Sequence, residues 1–368
     1  MMDSSYSRNC RLDYPGKLPE AEIWKVQDGL QLTTERSAST EKAFYFGDNL
    51  SIMKLILPQY RGKVDLVYID PPFGTGQNFA AHGEETAYED TLLDHNFLEF
   101  LRQRLIVLKE FLSEEGSLYL HIDKKIGHYV KLICDEIFGF ENFINDITRI
   151  KCNPKNFSRK AYGNQTDMVL FYAKNKDKHI WNDIKVALSQ QEVERLFPKR
   201  EEEQGPYTTH PLHAPGETKD GDTGKPWKGM LPPTGRHWRY QRKVLDQLEE
   251  DGLIEWSDNG NPRKKVFAKD HPGKKIQDLW EFKDKGLSYV SYPTEKNRDF
   301  LNQIILHSSH PESIVMDVFA GSGSTLWSAE ELGRSWIGID QSVKSREVIL
   351  GHVEASKLEA NLFSLQER

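Results

Sequence analysis

Residues 64–76 read Val-Asp-Leu-Val-Tyr-Ile-Asp-Pro-Pro-Phe-Gly-Thr-Gly, an apolar strand-like run that ends in Asp70, Pro71, Pro72 and Phe73. An acid at the end of a strand, two prolines that stiffen the turn and supply no amide hydrogens, and an aromatic ring together make a small planar slot. The Asp70 carboxylate and the Pro71 carbonyl can both accept hydrogen bonds from one NH2 group while Phe73 stacks on the ring that carries it. Such a slot suits the exocyclic amine of a nucleobase. Taken alone, the tetrapeptide also reads as an ordinary polar turn.

A second constellation lies near the other end of the chain. Residues 315–325, Val-Met-Asp-Val-Phe-Ala-Gly-Ser-Gly-Ser-Thr, describe a strand entering a loop of small residues that opens a helix, and Gly321 and Gly323 let a ligand approach the backbone. Another acid, Asp340, ends the next strand 23 residues after Asp317, a spacing suited to gripping the two hydroxyls of a ribose. A dinucleotide loop would favour a further glycine where Leu326 stands, so an adenosyl ligand without a pyrophosphate fits better.

The elements that must position these residues alternate. Strand patterns at 42–46, 64–69, 117–122, 144–150 and 167–173 are interleaved with helical patterns at 50–57, 93–112 and 125–139, which predicts a parallel sheet with helices packed on it. From about residue 176 to 290 prolines and glycines interrupt any periodicity, so this stretch is an insertion or second domain whose core or stacking surface uses Trp227, Trp238, Tyr240, Trp256 and Trp280. The α/β rhythm then returns, with a helix at 300–307, a strand at 313–318, a helix at 325–332, a strand at 336–339 and a closing helix at 344–363. The sheet is therefore assembled from both ends of the chain: an arm over 1–40 that wraps the domain or frays, a catalytic half over 41–175, the insertion over 176–290 and a second half over 291–368.

At 368 residues with 38% hydrophobic and 11% aromatic content the chain can bury a full core, and its negative mean hydropathy points to long polar loops. The N-terminus lacks the apolar stretch of a secretory signal and no segment is apolar enough to span a bilayer, so a cytoplasmic location is expected. Cys10, Cys134 and Cys152 make no metal-ligand spacing, and no metal is expected. The net charge of −7 argues weakly against nucleic acid, but its distribution argues for it. Residues 223–243 carry Lys225, Lys228, Arg236, Arg239, Arg242 and Lys243 with no acid, and Lys151, Lys155, Arg159 and Lys160 alternate with Asn153, Phe157 and Tyr162.

Asp317, the Phe319-Ala320-Gly321-Ser322-Gly323 loop and Asp340 resemble the S-adenosylmethionine site of class I methyltransferases, an α/β Rossmann-like fold. With Asp70-Pro71-Pro72-Phe73 added, the chain resembles the amino-methylating DNA methyltransferases. The catalytic motif precedes the glycine loop, a circularly permuted order that resembles the β-class of that family. In its terms the strand before Gly47-Asp48 is the third, those from Asp70 to residue 173 are the fourth to seventh, and those ending at Asp317 and Asp340 are the first and second. The resemblance runs over nearly all of 42–342. It places Asp48 near the cofactor's adenine, and it makes Tyr292-Pro293-Thr294-Glu295-Lys296 similar to a cofactor-contacting segment, from which Pro293, Thr294 and Lys296 carry over, the lysine as partner for a carboxylate. It also makes 151–174 a loop near the extruded base and 176–290 the inserted target-recognition region.

The resemblance implies transfer of a methyl group from S-adenosylmethionine to a base flipped out of double-stranded DNA. Adenine N6 is the expected acceptor, since the Asp form of the motif and the following Gly-Thr-Gly look like the adenine enzymes, with the 4-amino group of cytosine as the rival. Carbon-5 methylation would need a cysteine nucleophile, typically after proline, and the three cysteines follow Asn9, Ile133 and Lys151. RNA and protein amine methyltransferases usually begin the motif with Asn and keep the ordinary order. No nuclease or helicase motif is visible, so any restriction partner would be a separate chain; a homodimer is left open.

Overall fold

The computed structural model describes residues 11–72, 95–154, 160–283 and 296–367. Two compact units emerge, one from Met1–Asp183 with Gln277–Arg368 and one from Ile184–Ile276.

The larger unit is built on a ten-stranded sheet: β1 (Leu30–Arg36), β2 (Ala43–Phe46), β3 (Val64–Ile69), β4 (Leu112–Ile122), β5 (Phe143–Ile150), β6 (Thr166–Ala173), β7 (Leu279–Glu281), β8 (Ile314–Asp317), β9 (Ser335–Asp340) and β10 (Asn361–Glu367). Their spatial order is β1-β10-β2-β9-β8-β3-β4-β6-β5-β7. From β2 to β4 every pairing is parallel, whereas β6 runs antiparallel to both β4 and β5. In the family's strand numbers the stretch from β2 to β5 reads 3-2-1-4-5-7-6 with the seventh reversed. This is the class I methyltransferase sheet, entered at its third strand.

The central strands are nearly all apolar because helices cover both faces of a parallel sheet. In β3, Val64, Leu66, Val67 and Ile69 are wholly buried. Around the sheet lie α1 (Asn49–Tyr60), α2 (His95–Phe111), α3 (Lys124–Phe138), α4 (Arg298–Ser308), α5 (Ser324–Glu331) and α6 (Val343–Ala355). In α2, Leu101, Leu105, Leu108 and Phe111 recur at helical spacing and are fully buried. Truncating one of these leucines to alanine would cost about 2–5 kcal/mol through lost contact and a residual cavity.

Two expectations need correction. The closing helix stops at Ala355 rather than continuing to 363, and the chain turns through Lys357 at φ +52° into β10, which pairs parallel with β2 and antiparallel with β1. There the ring of Phe363 stacks on Tyr45 with centroids 4.8 Å apart. Residues 30–36 are likewise an edge strand and not part of a loose arm. Both strands are short amphipathic runs whose partners lie more than 300 residues away in sequence, so neither has a local hairpin signal.

The smaller unit has an antiparallel sheet of Ile254–Trp256, Pro262–Phe267, Gly205–Pro211 and Lys199–Glu201, in that order. Its core joins Leu245 and Leu248 of the helix Arg242–Glu250 to Leu212, Trp227 and Trp238. The Trp227 indole donates to Asp246 Oδ1 at 2.7 Å and that of Trp238 to the Lys225 carbonyl at 3.1 Å, so both rings are buried without an orphaned N–H. Trp256 stacks on Trp227 with centroids 5.9 Å apart but stays 42% exposed, while Trp280 belongs to β7 of the main sheet. Among the described residues no helix is long and apolar enough to cross a membrane.

Candidate active site

Four acids stand at or just beyond the carboxyl ends of four neighbouring parallel strands: Asp48 after β2, Asp340 on β9, Asp317 on β8 and Asp70 after β3. Register brings them to one edge, since Val315 and Met316 pair with Leu66 and Val67, Asp317 with Gly338, and Asp340 with Phe46. The chain order reverses between β8 and β3. That is the switch point at which open α/β sheets leave a crevice for ligands.

The glycine loop between β8 and α5 is held from below. Asp317 Oδ1 accepts from the Phe319 N–H at 2.9 Å and Oδ2 from the Thr325 hydroxyl at 2.6 Å, and Asp340 Oδ2 accepts from the Gly321 N–H at 2.8 Å. Asp340 Oδ1 accepts from the Ser342 N–H at 2.8 Å, so the expected ribose ligand also braces the loop. Gly323 sits at φ +78°, and a Cβ there would come within 2.9 Å of the Trp327 indole, which donates to the Ser322 carbonyl at 3.1 Å. Only glycine fits this position. Ala320 and Ser322 are buried and Phe319 is partly so.

Asp317 is fully buried, and its pKa is pushed up to about 7, by burial first and then by the negative charges of Asp70 and Asp340. Asp340 is also raised, chiefly by burial. The crevice thus has a surplus of carboxylates.

Asp48 caps α1, its carboxylate accepting from the Ser51 N–H at 2.8 Å, and Oδ1 meets the Arg104 guanidinium at 3.1 Å. Arg104 also donates to Asn49 Oδ1 at 2.6 Å and lies over the Phe100 ring, 3.4 Å from its centroid. Asn49 in turn donates to the Val318 carbonyl at 2.7 Å, tying the start of α1 to the residue that follows β8.

At the slot itself, Lys296 Nζ lies 2.7 Å from Asp70 Oδ2. Lys296 immediately precedes Asn297, the N-cap of α4, whose side chain accepts from the Asp299 and Phe300 N–H groups and donates to the Lys283 carbonyl at 3.1 Å. The carboxylate that this lysine meets is Asp70. The other oxygen, Oδ1, is buried and accepts no hydrogen bond among the described residues. An orphaned carboxylate oxygen in a crevice is costly unless a ligand donates to it. Pro71 is buried and Pro72 exposed, while Phe73, Pro293 and Thr294 lie outside the described residues.

Behind Asp70 is a group of residues that no motif singled out. His121 of β4 is wholly buried, with Nδ1 3.7 Å from Asp70 Oδ1, 3.1 Å from the Tyr68 hydroxyl, and Nε2 3.1 Å from Asp167 Oδ2. Asp167 of β6 also meets Lys151 Nζ at 2.5 Å and lies 3.9 Å from the Arg149 guanidinium. Burial alone would raise Asp167, but hydrogen bonds from His121 and Lys151 hold it well below the usual carboxylate range. His121 is pushed down by burial and by the positive Lys296. The only sequence signal for these residues was a polar side chain inside an otherwise apolar strand.

Of the basic residues expected at DNA, Lys151 is engaged by Asp167 and Lys160 is exposed, while Lys155 and Arg159 lie outside the described residues. In the smaller unit Lys225, Lys228, Arg236 and Arg239 are all exposed. Lys228 pairs with Glu249, Arg236 contacts His213 Nδ1 at 3.1 Å and Arg239 donates to the Pro211 carbonyl at 3.1 Å.

Similarities to known proteins agree with this arrangement. The type II methyltransferase M.EcaI of Enterobacter cloacae is 40% identical over 350 residues, 92% of this chain and 76% of that protein. The Mod subunit of the type III restriction-modification enzyme StyLTI of Salmonella typhimurium is 25% identical over 341 residues; the match covers 82% of this chain but only 51% of the Mod subunit. The DNA adenine methyltransferase YhdJ of Escherichia coli is 24% identical over 311 residues, covering 83% of this chain and 80% of that protein. A family described as DNA methylase matches residues 64–350. That match opens on the first residue of β3 and closes inside α6, taking in the slot, the glycine loop and everything between them, and so the chain belongs to the N6/N4 DNA methylase family.

Proposed function

We propose that this protein methylates the exocyclic N6 amine of adenine in double-stranded DNA, at a specific site, with S-adenosylmethionine as the methyl donor. The observation that carries the reading is Asp70: one carboxylate oxygen is anchored by Lys296, and the other is buried and unpartnered among the described residues, in the residue just before Pro71. An NH2 group supplies the two donors that such a pair of acceptors needs.

The crevice fits the donor. Burial is the main cause that raises Asp317, and a ligand with cationic sulfonium and ammonium groups would offset the smaller contribution of Asp70 and Asp340; the bracing of Gly321 by Asp340 leaves lone pairs on that carboxylate for ribose hydroxyls. When bound, S-adenosylmethionine supplies an electrophilic methyl group. Asp317, Asp340, Asp48 and the 319–323 loop would hold it.

The chain's own residues do the rest. Extrusion of the base costs roughly a few kcal/mol of unstacking and unpairing, part of which Phe73 would return by stacking. The lone pair of an aromatic amine is delocalised into its ring. Asp70 and the Pro71 carbonyl favour rehybridisation toward a tetrahedral nitrogen, because both stabilise the positive charge that grows there. Asp70 need not be a strong base, since the methylated, cationic amine is very acidic. Lys296 holds the carboxylate in one orientation through its 2.7 Å contact with Oδ2.

The basic residues 225–239 of the smaller unit, together with Lys155, Arg159 and Lys160, would meet the phosphates, and residues 176–290 would read the site. Because one relative is a Mod subunit, a restriction partner, where there is one, would be a separate chain. The work is assigned to the cytoplasm.

Digestion of DNA methylated by the purified protein, followed by mass spectrometry of the nucleosides, tests the acceptor. N6-methyladenosine in deoxy form is expected. N4-methyldeoxycytidine as the sole product would overturn the adenine assignment and leave the amine slot standing.

A further inference from the structure

The methylated amine must lose a proton, and behind Asp70 stands a second proton-holding pair, His121 and Asp167. We propose that His121, with Asp167 behind it, takes this proton from Asp70 and holds it until product leaves, so that Asp70 is returned to its carboxylate form. This rests on the amine reading of Asp70 given above.

The geometry sets the direction. Asp167 is an acceptor only, so the 3.1 Å contact at Nε2 requires that nitrogen to carry the hydrogen. In a neutral ring Nδ1 then keeps its lone pair, accepts from the Tyr68 hydroxyl at 3.1 Å and faces Asp70 Oδ1 at 3.7 Å. The imidazole is thus presented to Asp70 as a base. A small closing motion would bring Oδ1 and Nδ1 to hydrogen-bond distance, and the Tyr68 hydroxyl can rotate to become an acceptor.

The balance of the step is simple. As the N–C bond forms and the S–C bond breaks, the sulfur keeps the electron pair and the nitrogen becomes cationic. Its N–H proton passes to Asp70, and from Asp70 to His121 Nδ1. The imidazolium so formed faces the Asp167 carboxylate, and the proton leaves through Asp70 once product has gone.

Every element around the ring contributes a charge or a wall. Tyr68 and Asp70 come from β3 and its end, Asp167 from β6, Arg149 and Lys151 from β5, and Lys296 and the Phe300 ring, 5.8 Å from the imidazole, from α4 and its cap. Burial first and then Lys296 disfavour an imidazolium, and together they outweigh Asp70 and Asp167, which favour it. The ring is therefore neutral at rest and can be charged only when Asp70 delivers a proton, or when the medium is acid.

The test combines kinetics with a readout that needs no activity. Nitrogen-15 NMR of cofactor-free wild-type protein, with the His121 ring assigned through its own backbone resonances, should show the Nε2–H tautomer near neutral pH and protonation below the ordinary histidine range. An Nδ1–H tautomer, or a ring that stays neutral until the protein unfolds, would overturn the proposal even if the variant does not fold. Steady-state transfer of tritiated methyl groups to DNA lacking adenine methylation, in which Asp70 must be regenerated every cycle, should fall in wild type as pH drops through that same titration. His121→Asn should lose this acid limb and about tenfold or more in rate, with both KM values within about twofold. An unchanged rate and pH profile in His121→Asn, with Asp70→Ala inactive, would sink the relay alone. Near-normal transfer by Asp70→Ala would sink the amine reading itself.

Discussion

The two units of this chain hold the charged residues of their candidate sites in opposite ways. At the crevice of the larger unit the ionic groups are buried or nearly so and engaged by charged partners: Asp167 meets His121 and Lys151, and Asp70 meets Lys296. In the smaller unit the basic residues expected at DNA stand on the surface, and Lys228 and Arg236 are held by the contacts Lys228–Glu249 and Arg236–His213. Removing one partner of a buried pair leaves an uncompensated charge in a low-dielectric interior, at a cost of about 3–5 kcal/mol, whereas an exposed pair is worth about 0–1 kcal/mol. The first arrangement preserves one geometry for chemistry. The second lets residues change at little cost to the fold, which suits a surface that must be retuned to read different sites.

The largest effect should come from the buried side. Asp70→Ala is expected to reduce methyl transfer by about a thousandfold, the upper range for removing an electrostatic partner of a developing charge, while calorimetry finds S-adenosylmethionine affinity changed by no more than about threefold. Retained turnover would erase the contrast, because the slot would then be no more critical than a surface pair.

Next in size is Asp340→Ala. Loss of a charge-assisted acceptor worth roughly 1.5–3 kcal/mol should weaken cofactor binding by about 10- to 100-fold in the same calorimetric measurement. A change smaller than about threefold would mean that the carboxylate only braces the loop at Gly321 and Ser342.

On the exposed side, replacing Arg236 and Arg239 by alanine should weaken DNA binding and reduce the slope of log affinity against log salt by about 2, since each phosphate contact contributes about 0.9. Cofactor affinity and thermal stability should hardly move. An unchanged salt slope in a filter-binding or anisotropy titration would shift the DNA surface elsewhere.

The smallest effect concerns pH. Asp317 is raised in the folded state, to about 7, so between the ordinary aspartate range and that value the folded protein binds more protons than the unfolded one. Its contribution to stability is therefore present at low pH and lost as pH rises through about 7. Thermal melts of cofactor-free protein should show Asp317→Asn removing part of the decline in Tm across that window. An identical slope in the variant would show that other groups govern it.

Much of the site was legible because its parts are contiguous. Asp70-Pro71-Pro72-Phe73 and the 319–323 loop each follow an apolar strand directly, and the spacing from Asp317 to Asp340 spans one helix and one strand. The alternation of those elements, and the order in which the motifs appear, carried the sheet and its permutation. The edge strands were not legible, since residues 30–36 and 361–367 find each other only across the whole chain.

By itself, then, the sequence set out the Asp70-Pro71-Pro72-Phe73 motif, the glycine loop and the order of the strands that carry them, because local backbone rules act within a few residues of each motif. Tertiary structure alone decided what stands behind Asp70. His121 and Asp167 come from β4 and β6 and Lys296 from the residue before the N-cap of α4, and they are brought together by strand register and by one helix cap. The physical reason is that a carboxylate's reactivity depends on charges within a few ångströms in space, and the folded sheet, not distance along the chain, sets which charges those are.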